Sequence, residues 1–195
     1  MANNVNTHVT FDRISEEGKS KLLELTSRIR NNMNYRWLSD MWVDGKEGSP
    51  TYEETEKYEW TTTNIGPKWN YIEDAGDDYL TIVSAWSWPE NGIAWIVEQI
   101  AEVDPQVRAL VSYEDEMPNF FGAAVFETGG LVADIEWDSD EIEEMMHEEF
   151  PELLELWDAE TNEPTDDEYW NIRDENIWSY IGDKQWEWTQ VCIEN

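Results

Sequence analysis

Cysteine, basic residues and long apolar stretches are all scarce in this chain of 195 residues. The single cysteine, Cys192, excludes an internal disulfide framework. No apolar stretch approaches the roughly 20 residues that a membrane-spanning helix needs. The start, MANNVNTHVTF, has neither the basic nor the apolar region of a signal peptide. These absences predict an intracellular, cytoplasmic protein.

Basic residues are too few to balance the acids, because 12 Lys and Arg stand against 45 Asp and Glu, a formal net charge of −33. Residues 1–50 hold seven of each sign, whereas residues 51–195 hold 38 acids and five bases. A surface this negative repels nucleic-acid phosphates and anionic membranes, so we expect direct binding to neither. Acidic disordered tails are poor in aromatics, whereas this chain has 13 Trp, which indicates a folded protein.

Hydrophobic patterning predicts an α+β domain over residues 1–137. Alternating or β-branched segments predict strands at 7–13, 59–65, 79–87 and 107–116, and a hairpin within 120–137 that turns at Thr128-Gly129-Gly130. Helical spacing predicts helices at 15–29 and 89–104, and 31–57 is expected to be a long loop or small insertion. This order suits the ferredoxin-like plan, an antiparallel sheet with two helices on one face.

Residues 138–195 are predicted to form an acidic helical and Trp-rich C-terminal extension. Ser139 is the predicted N-cap of a helix that Pro151 breaks or restarts. The apolar residues near one face of that helix are Ile142, Met145, Met146, Phe150, Leu153, Leu154 and Trp157. A linker-like loop at 159–168 is expected next, then a short helix and a strand from about Gln185.

Several short motifs occur in a familiar order: THVTF near the start, NIGPKWNY (64–71), SAWSWP (84–89), SYEDE (112–116) and NFFGAAVF (119–126). Over residues 1–137 this order resembles the ferredoxin-like domain of YubB-like proteins, a family of uncharacterised plasmid and bacteriophage proteins. The chain departs from that pattern at Trp88, where the family has a proline, and in the acidic region after residue 137. The resemblance implies a fold and a location in the cytoplasm of a bacterial host, and it brings no catalytic residues.

The acidic helix has two interpretations, a solvated face that maintains solubility and a mimic of nucleic acid. Duplex DNA carries about one charge per 1.7 Å of axis, and carboxylates on successive helical turns approach such a density. Proteins that neutralise phosphates with Lys and Arg would then bind this face. The predicted partner-binding residues are Asp140, Glu141, Glu143, Glu144, Glu148, Glu149, Glu152, Glu155 and Asp158.

Other candidate sites have ordinary interpretations. His147 lacks the second histidine that a zinc-binding H-E-x-x-H helix requires, and the acids of EDAGDD (73–78) lack the spacing of a calcium loop. Cys192 has no His nearby in sequence, which favours a structural thiol. No phosphate-binding or nucleophile-elbow motif is present. We therefore expect no metal, no cofactor and no enzymatic activity.

The tryptophans divide into two groups. Trp60, Trp69, Trp86 and Trp95 are expected in the core. The aromatic residues that could form a contact surface are Trp170, Trp178, Trp186 and Trp188, with Trp186 and Trp188 on one strand face where packing onto the sheet is favoured.

The preferred function is a non-catalytic, DNA-mimic-like bacteriophage or plasmid protein. It would bind and inhibit a basic nucleic-acid-binding host protein, such as a defence nuclease, a restriction or CRISPR effector, or a transcription or repair factor. One alternative is a structural or assembly protein that oligomerises through aromatic surfaces. Another is a small carboxylate-dependent glycan hydrolase, for which paired carboxylates are weak support among 45 acids. A monomer or a homodimer is expected.

Overall fold

The computed structural model describes residues 3–30, 36–158, 160–161 and 163–194. It is an α+β protein built on a six-stranded antiparallel sheet in the order β2-β3-β1-β4-β5-β6. The six strands are β1 (Asn4–Arg13), β2 (Asn70–Ala75), β3 (Tyr79–Ala85), β4 (Arg108–Asp115), β5 (Phe120–Glu127) and β6 (Gly130–Asp138). The predicted α+β class is therefore confirmed.

Seven α-helices occur in the described residues. They are α1 (Glu16–Ser27), α2 (Tyr52–Thr55), α3 (Tyr58–Asn64), α4 (Glu90–Ala101), α5 (Ser139–Glu149), α6 (Pro151–Glu155) and α7 (Glu168–Glu194). A short 3-10 helix spans Leu38–Trp42, and two two-residue strands, β7 (Trp157–Asp158) and β8 (Glu163–Pro164), pair with each other where a linker-like loop was expected. The helix predicted to open at Ser15 is α1, and Ser15 is its N-cap, since its side chain accepts a hydrogen bond from the Gly18 amide.

The principal core lies between one face of the sheet and helices α1 and α4. Leu22 and Leu25 of α1 and Ile93, Ile96 and Ile100 of α4 are fully buried there. The sheet residues that complete this cluster, hereafter the first core, include Val5, Val9, Phe11, Leu80, Ile82, Ala109, Val111, Tyr113, Ala124 and Phe126. Their two-residue spacing places them on one face of the pleated sheet.

A second core lies on the opposite face of β5. Phe121 belongs to this cluster, whereas Phe120 and Ala124, one and three residues away, pack against the first core. The other buried members are Ile142, Met146, Leu153, Tyr169, Ile177, Tyr180 and Ile181, from α5, α6 and α7. The C-terminal extension therefore packs on the sheet.

The predicted strand at 59–65 is wrong, because this segment forms α3. Three consecutive threonines suggested a strand, but their hydroxyls donate to backbone carbonyls one turn earlier. The Oγ1 atoms of Thr61, Thr62 and Thr63 lie 3.0, 2.9 and 2.8 Å from the carbonyl oxygens four residues before them. Such bonds satisfy the threonine hydroxyls within the helix, although β-branched residues and back-bonding both weaken helices slightly, so the helix here overrides the local preference.

The predicted strand from Gln185 is also wrong, because α7 continues to Glu194. The alternation of Trp186 and Trp188 suggested the strand, but the buried residues recur every four positions, as Ile177, Ile181 and Gln185 do. The Gln185 side-chain amide donates to the carbonyl oxygens of Tyr113 and Gly122, at 2.9 and 3.0 Å, and so fastens α7 to β4 and β5.

The segment expected to be a loop or insertion contains the 3-10 helix and α2, and it continues into α3. It joins the sheet at the edge strand β2, where Trp37 forms an isolated bridge with Tyr71. The Ile72 amide also donates to the Arg36 carbonyl oxygen over 2.8 Å. The insertion thus extends the sheet beyond β2. The part of the expected loop at residues 31–35 lies outside the described residues.

Candidate partner-binding surface

The N-cap of helix α5 lies one residue earlier than the cap predicted from the sequence. Its N-cap is Asp138, whose side chain accepts hydrogen bonds from the amides of Asp140 and Glu141, each over 3.0 Å. The Glu141 carboxylate accepts in return from the Asp138 amide, which completes a capping box. Ser139 is therefore the first helical residue and not the cap. Carboxylates in the first turn also interact favourably with the helix dipole.

The apolar side of α5 and α6 is narrower than the sequence indicated. Ile142, Met146 and Leu153 are buried in the second core, whereas Leu154 is 54 % exposed. Pro151 occupies the first turn of α6, so the predicted break at this proline is confirmed. These buried contacts hold the two acidic helices against α7 and the sheet.

A polar network at the edge of the second core connects α5 to α7. Glu143 accepts a hydrogen bond from Arg173 Nε over 2.6 Å and another from the Tyr169 hydroxyl. The same hydroxyl lies 3.0 Å from His147 Nε2. Burial, with the Glu143 carboxylate beside it, raises the pKa of Tyr169. Glu143 and His147 therefore have structural partners, and among the predicted partner-binding glutamates Glu143 is distinguished by its ion pair with a buried cation.

Seven of the nine predicted partner-binding residues are exposed, and they define the acidic surface of this protein. They are Asp140, Glu141, Glu144, Glu148, Glu149, Glu152 and Glu155. Within the described ranges none of them forms an ion pair, since the cations of this part of the chain pair with other acids. Their negative charge is therefore uncompensated by the fold.

The spacing of these carboxylates approaches that of phosphates along one nucleic-acid strand. Asp140, Glu141, Glu144 and Glu148 fall within about 100° around the axis of α5. At about 1.5 Å per residue they cover roughly 12 Å of helix, which gives one carboxylate per about 3–4 Å. Phosphates in one strand of duplex DNA are about 3.4 Å apart along the axis. The carboxylates of α5 therefore match one DNA strand in the number of negative charges per unit length along the axis.

The ninth predicted residue, Asp158, has a local structural role. Its carboxylate accepts from the backbone amides of Glu160 and Thr161, at 2.8 and 3.4 Å, and thereby shapes the turn between β7 and β8. These hydrogen bonds to the charged form lower the pKa of Asp158. It keeps its negative charge but does not extend the line of carboxylates on α5.

The predicted aromatic contact residues all lie on α7. Trp170, Trp178 and Trp186 are 46 %, 46 % and 63 % exposed, whereas Trp188 is half-buried. Because this segment is helical, Trp186 and Trp188 point about 200° apart and do not share a face. Their predicted common strand face is therefore wrong. Three exposed indoles spaced eight residues apart form an aromatic track that advances about 80° around the helix at each step, so Trp170 and Trp186 lie about 160° apart.

The predicted core position of Trp86 is wrong as well. This residue is 53 % exposed and adopts a positive φ of 64°, the one such value for a residue other than glycine in the described chain. Trp60 and Trp95 do pack against the first core, as expected. A bulky residue in the left-handed region is strained, and no local pattern around Trp86 predicts this conformation.

The remaining predicted sites have local explanations. In the acidic turn at 73–78, Asp74 accepts a hydrogen bond from the Tyr79 hydroxyl over 2.9 Å, and Asp77 lies 3.6 Å from Lys19 Nζ. Burial raises the pKa of the Cys192 thiol, which disfavours the reactive thiolate. Across the described residues no group of three or more His, Cys, Asp or Glu side chains could hold a metal ion.

Glu114 is a feature that the sequence analysis missed. It lies on the outer face of β4, and burial raises the pKa of its carboxyl to about 7. Its Oε1 atom is 3.8 Å from His8 Nε2 on the neighbouring strand β1. Strand alternation assigns Glu114 to the face away from the first core, but only the tertiary structure shows that its carboxyl is largely desolvated.

Comparison with family models, with curated proteins and with solved structures finds no match to this chain. None of the helices in the described part of the chain combines the length and the hydropathy that crossing a bilayer requires.

Proposed function

We propose that this protein is a non-catalytic, DNA-mimic-like protein whose acidic surface binds and inhibits a basic nucleic-acid-binding protein of a bacterial host. The observation that supports this most directly is the row of carboxylates on α5 and α6 that no cation of the described fold neutralises. Like charges at this density repel each other and oppose folding. A basic partner would relieve that repulsion and gain favourable contacts.

The rigid support of the acidic surface favours recognition over mere solubility. Its helices are fixed by buried Ile142, Met146 and Leu153 and by the Glu143–Arg173 ion pair. A surface that served only solvation would need no fixed geometry, whereas a substitute for phosphates must hold its charges in place. Preorganised charges also cost less conformational entropy on binding.

We further propose that the sheet belongs to the ferredoxin-like type, as the resemblance to YubB-like proteins implies. The order β2-β3-β1-β4 and the two helices α1 and α4 on one face agree with that plan. On this proposal β5, β6 and the C-terminal helices are additions, and the plasmid or bacteriophage context comes with the family.

A capture experiment tests the proposed function. The protein is immobilised, exposed to bacterial lysate, and eluted in salt steps with identification of each fraction. We expect a nucleic-acid-binding protein that elutes by moderate salt and is displaced by added DNA, because screening weakens exposed charge pairs.

Charge reversal at Glu144, Glu148 and Glu155 should abolish that capture. The matched control reverses Glu17, Glu53 and Glu98, which are exposed and unpaired among the described residues but lie outside the acidic surface. Both triple variants change the net charge equally, so only position differs. Equal loss of binding in the two variants, or retained binding in the first, would contradict the proposal.

The second candidate function is assembly through the aromatic track on α7. The exposed indoles of Trp170, Trp178 and Trp186 favour it, since aromatic side chains anchor many interfaces. Sedimentation at increasing protein concentration distinguishes the two functions. Self-association that persists at high salt and is lost in a Trp170→Ser, Trp178→Ser, Trp186→Ser variant supports assembly, whereas a monomer at all concentrations excludes it.

A further inference from the structure

The insertion between α1 and β2 encloses a cavity of about 400 Å³ at the edge of the sheet. Small-molecule sites in proteins measure roughly 300–1,000 Å³ and combine aromatic walls with a few placed polar groups. The cavity has a polar floor, because the buried side chains of Ser39, Thr55, Thr61 and Asn70 line it. Three elements supply these residues: the 3-10 helix, the α2–α3 pair and β2.

One of the floor residues has hydrogen-bonding capacity to spare. The hydroxyls of Thr55 and Thr61 donate to backbone carbonyls. By contrast, Asn70 is 1 % exposed and its Nδ2 atom has no hydrogen-bond partner among the described residues. Buried amides are nearly always bonded, so an unpartnered one beside a cavity marks a donor that a water molecule or a ligand must satisfy.

The walls and rim of the cavity carry aromatic faces and one cation. Trp37 and Trp69 line it, and the Trp69 ring stacks on Tyr71 with centroids 6.1 Å apart. Lys68 also lines it, is exposed, and forms no ion pair with any described residue. The acid at this rim, Glu56, is bonded to Arg30 over 2.8 Å. Lys68 is therefore available to an anionic group.

The strained Trp86 does not itself line this cavity, but it contacts the lysine at its rim. Its ring centroid lies 5.7 Å from Lys68 Nζ, within the range of a cation–π contact. Backbone strain of this kind persists where the surrounding structure holds it, and it concentrates at functional sites. The positive φ of Trp86 thus has a local consequence: it sets an exposed indole beside the lysine at the mouth of the cavity.

We propose that this cavity binds a planar nitrogen heterocycle that bears an anionic group, of the nucleoside monophosphate class. The heterocycle stacks on the indole surface of Trp69, because every base has a π-face. Its edge meets the amide of Asn70, a side chain suited to the paired donor and acceptor of a base. The phosphate meets Lys68. None of these residues belongs to the acidic surface, so the proposal does not depend on the proposed function.

Calorimetric titration of the whole protein with the 5′-monophosphates of adenosine, guanosine, cytidine and uridine tests the proposal. We expect at least one of them to bind saturably at one site, with the corresponding nucleoside weaker and ribose 5-phosphate not binding. The absence of saturable binding by all four at about 5 mM overturns the proposal, because stacking and a charge contact should exceed millimolar affinity.

Variants then locate the site. Trp69→Ala should weaken the monophosphate by about 5- to 100-fold through lost stacking. Lys68→Met should reduce the affinity of the monophosphate to that of the nucleoside and leave the nucleoside unchanged. Its matched control is Lys57→Met, an exposed lysine that does not line this cavity. Equal effects of the two lysine variants overturn the assignment to this cavity, and they do so even if Trp69→Ala does not fold.

Trp86→Gly separates binding from folding. Glycine adopts a positive φ without strain, so this variant should melt at a temperature equal to or above that of the parent. It should also bind the monophosphate less tightly, because Lys68 loses its aromatic support. A variant whose binding is unchanged overturns the role assigned to Trp86 at the rim.

Discussion

Among the described residues, the part of the chain before residue 138 and the C-terminal extension bury one arginine each, but the two parts differ in how their charges are matched. Arg108, at the start of β4, is 6 % exposed and is held by both carboxylate oxygens of Asp12. Arg173, on α7, is 9 % exposed and is held by Glu143. In the first part, the cations of α1 and the insertion pair with nearby acids. In the extension, the acids outnumber the cations, and the acidic surface forms no ion pair with any described residue.

This difference separates the charges that the fold needs from those that it tolerates. Glu143 neutralises a buried cation, and its removal leaves that cation with only the exposed Asp174, whose Oδ1 atom lies 3.8 Å from Arg173 Nη1. Glu144, the next residue, is exposed and unpaired within the described chain. Two adjacent glutamates on one helix therefore have very unequal expected effects on stability, and only the second belongs to the acidic surface.

The largest expected effect is that of Glu143→Ala. Removing one partner of a largely buried ion pair should lower the free energy of unfolding by about 3–5 kcal/mol, because Arg173 and the Tyr169 hydroxyl lose their acceptor. Urea unfolding measures this change. Glu144→Ala is the control and should shift stability by less than about 0.5 kcal/mol. A similar loss in both variants would show that the network does not connect α5 to α7.

A smaller effect is expected from Glu114→Gln, and it depends on pH. The carboxyl has a folded-state pKa of about 7, above its ordinary value of 4.5, so the folded state retains a proton that the unfolded state releases. The parent therefore loses stability as pH rises from about 4.5 to about 7. Glutamine carries no such cost, so the variant should be more stable by about 2–3 kcal/mol at about pH 8 and by almost nothing at about pH 4.

Denaturant unfolding across this pH range measures the Glu114 effect. Glu73→Gln, at an exposed position of β2, is the control and should show no pH-dependent gain. If the stability gained by Glu114→Gln does not change with pH, the Glu114 carboxyl is hydrated and its pKa is not raised.

Gly122→Ala should cost about 2 kcal/mol, because the added methyl would overpack the sheet. Its carbon would lie 2.4 Å from the Ile135 carbonyl oxygen and would also clash with the Tyr113 hydroxyl. That hydroxyl is held in place because it donates to Glu136. Thermal unfolding measures the loss. Recovery of stability in a Tyr113→Phe background would show that the hydroxyl is the main obstacle, and no recovery would assign the strain to the ring carbon Cζ of residue 113 and the Ile135 backbone, each 2.4 Å from the added carbon.

The smallest expected effect is a gain from Gly182→Ala. Gly182 lies inside α7, and no atom lies within 4 Å of the position that an added methyl would occupy. Alanine should raise the free energy of unfolding by about 0.5–1 kcal/mol through its higher helix propensity. Thermal unfolding against the parent measures it. A loss of stability would mean that the added methyl group clashes with the sheet face next to α7.

The sequence predicted those elements whose local pattern and tertiary environment agree. Helix α1 has its cap at Ser15 and helix α4 its apolar spacing, and strands β3 to β6 have β-branched or alternating residues. The errors occurred where local preference conflicts with packing. Threonine favours strands, yet α3 contains three threonines whose hydroxyls bond to carbonyls within the helix. The alternation of Trp186 and Trp188 suggested a strand, yet both lie in α7, a helix that Gln185 connects to the sheet.

For the candidate sites, composition predicted the sign and the region of the charge but not the role of single residues. Nothing in the sequence separates Glu143 from Glu144, because the distinction comes from Arg173, thirty residues further on. The pKa of Glu114 depends on desolvation, and the cavity beside β2 depends on how the insertion folds back onto the sheet edge. Both are consequences of contacts between distant residues.

The position of α7 in the chain also has a consequence in time. Gln185 follows Phe121 by 64 residues, so at about 5–20 residues per second a ribosome needs roughly 3–13 s to make the helix that covers this side chain. During that interval the outer face of β5 is bare, a condition that invites nascent chains to associate. Helices α5 and α6 are synthesised within the same interval and bring their negative charge with them. The charge repulsion that destabilises the folded protein therefore also opposes association between incompletely synthesised chains.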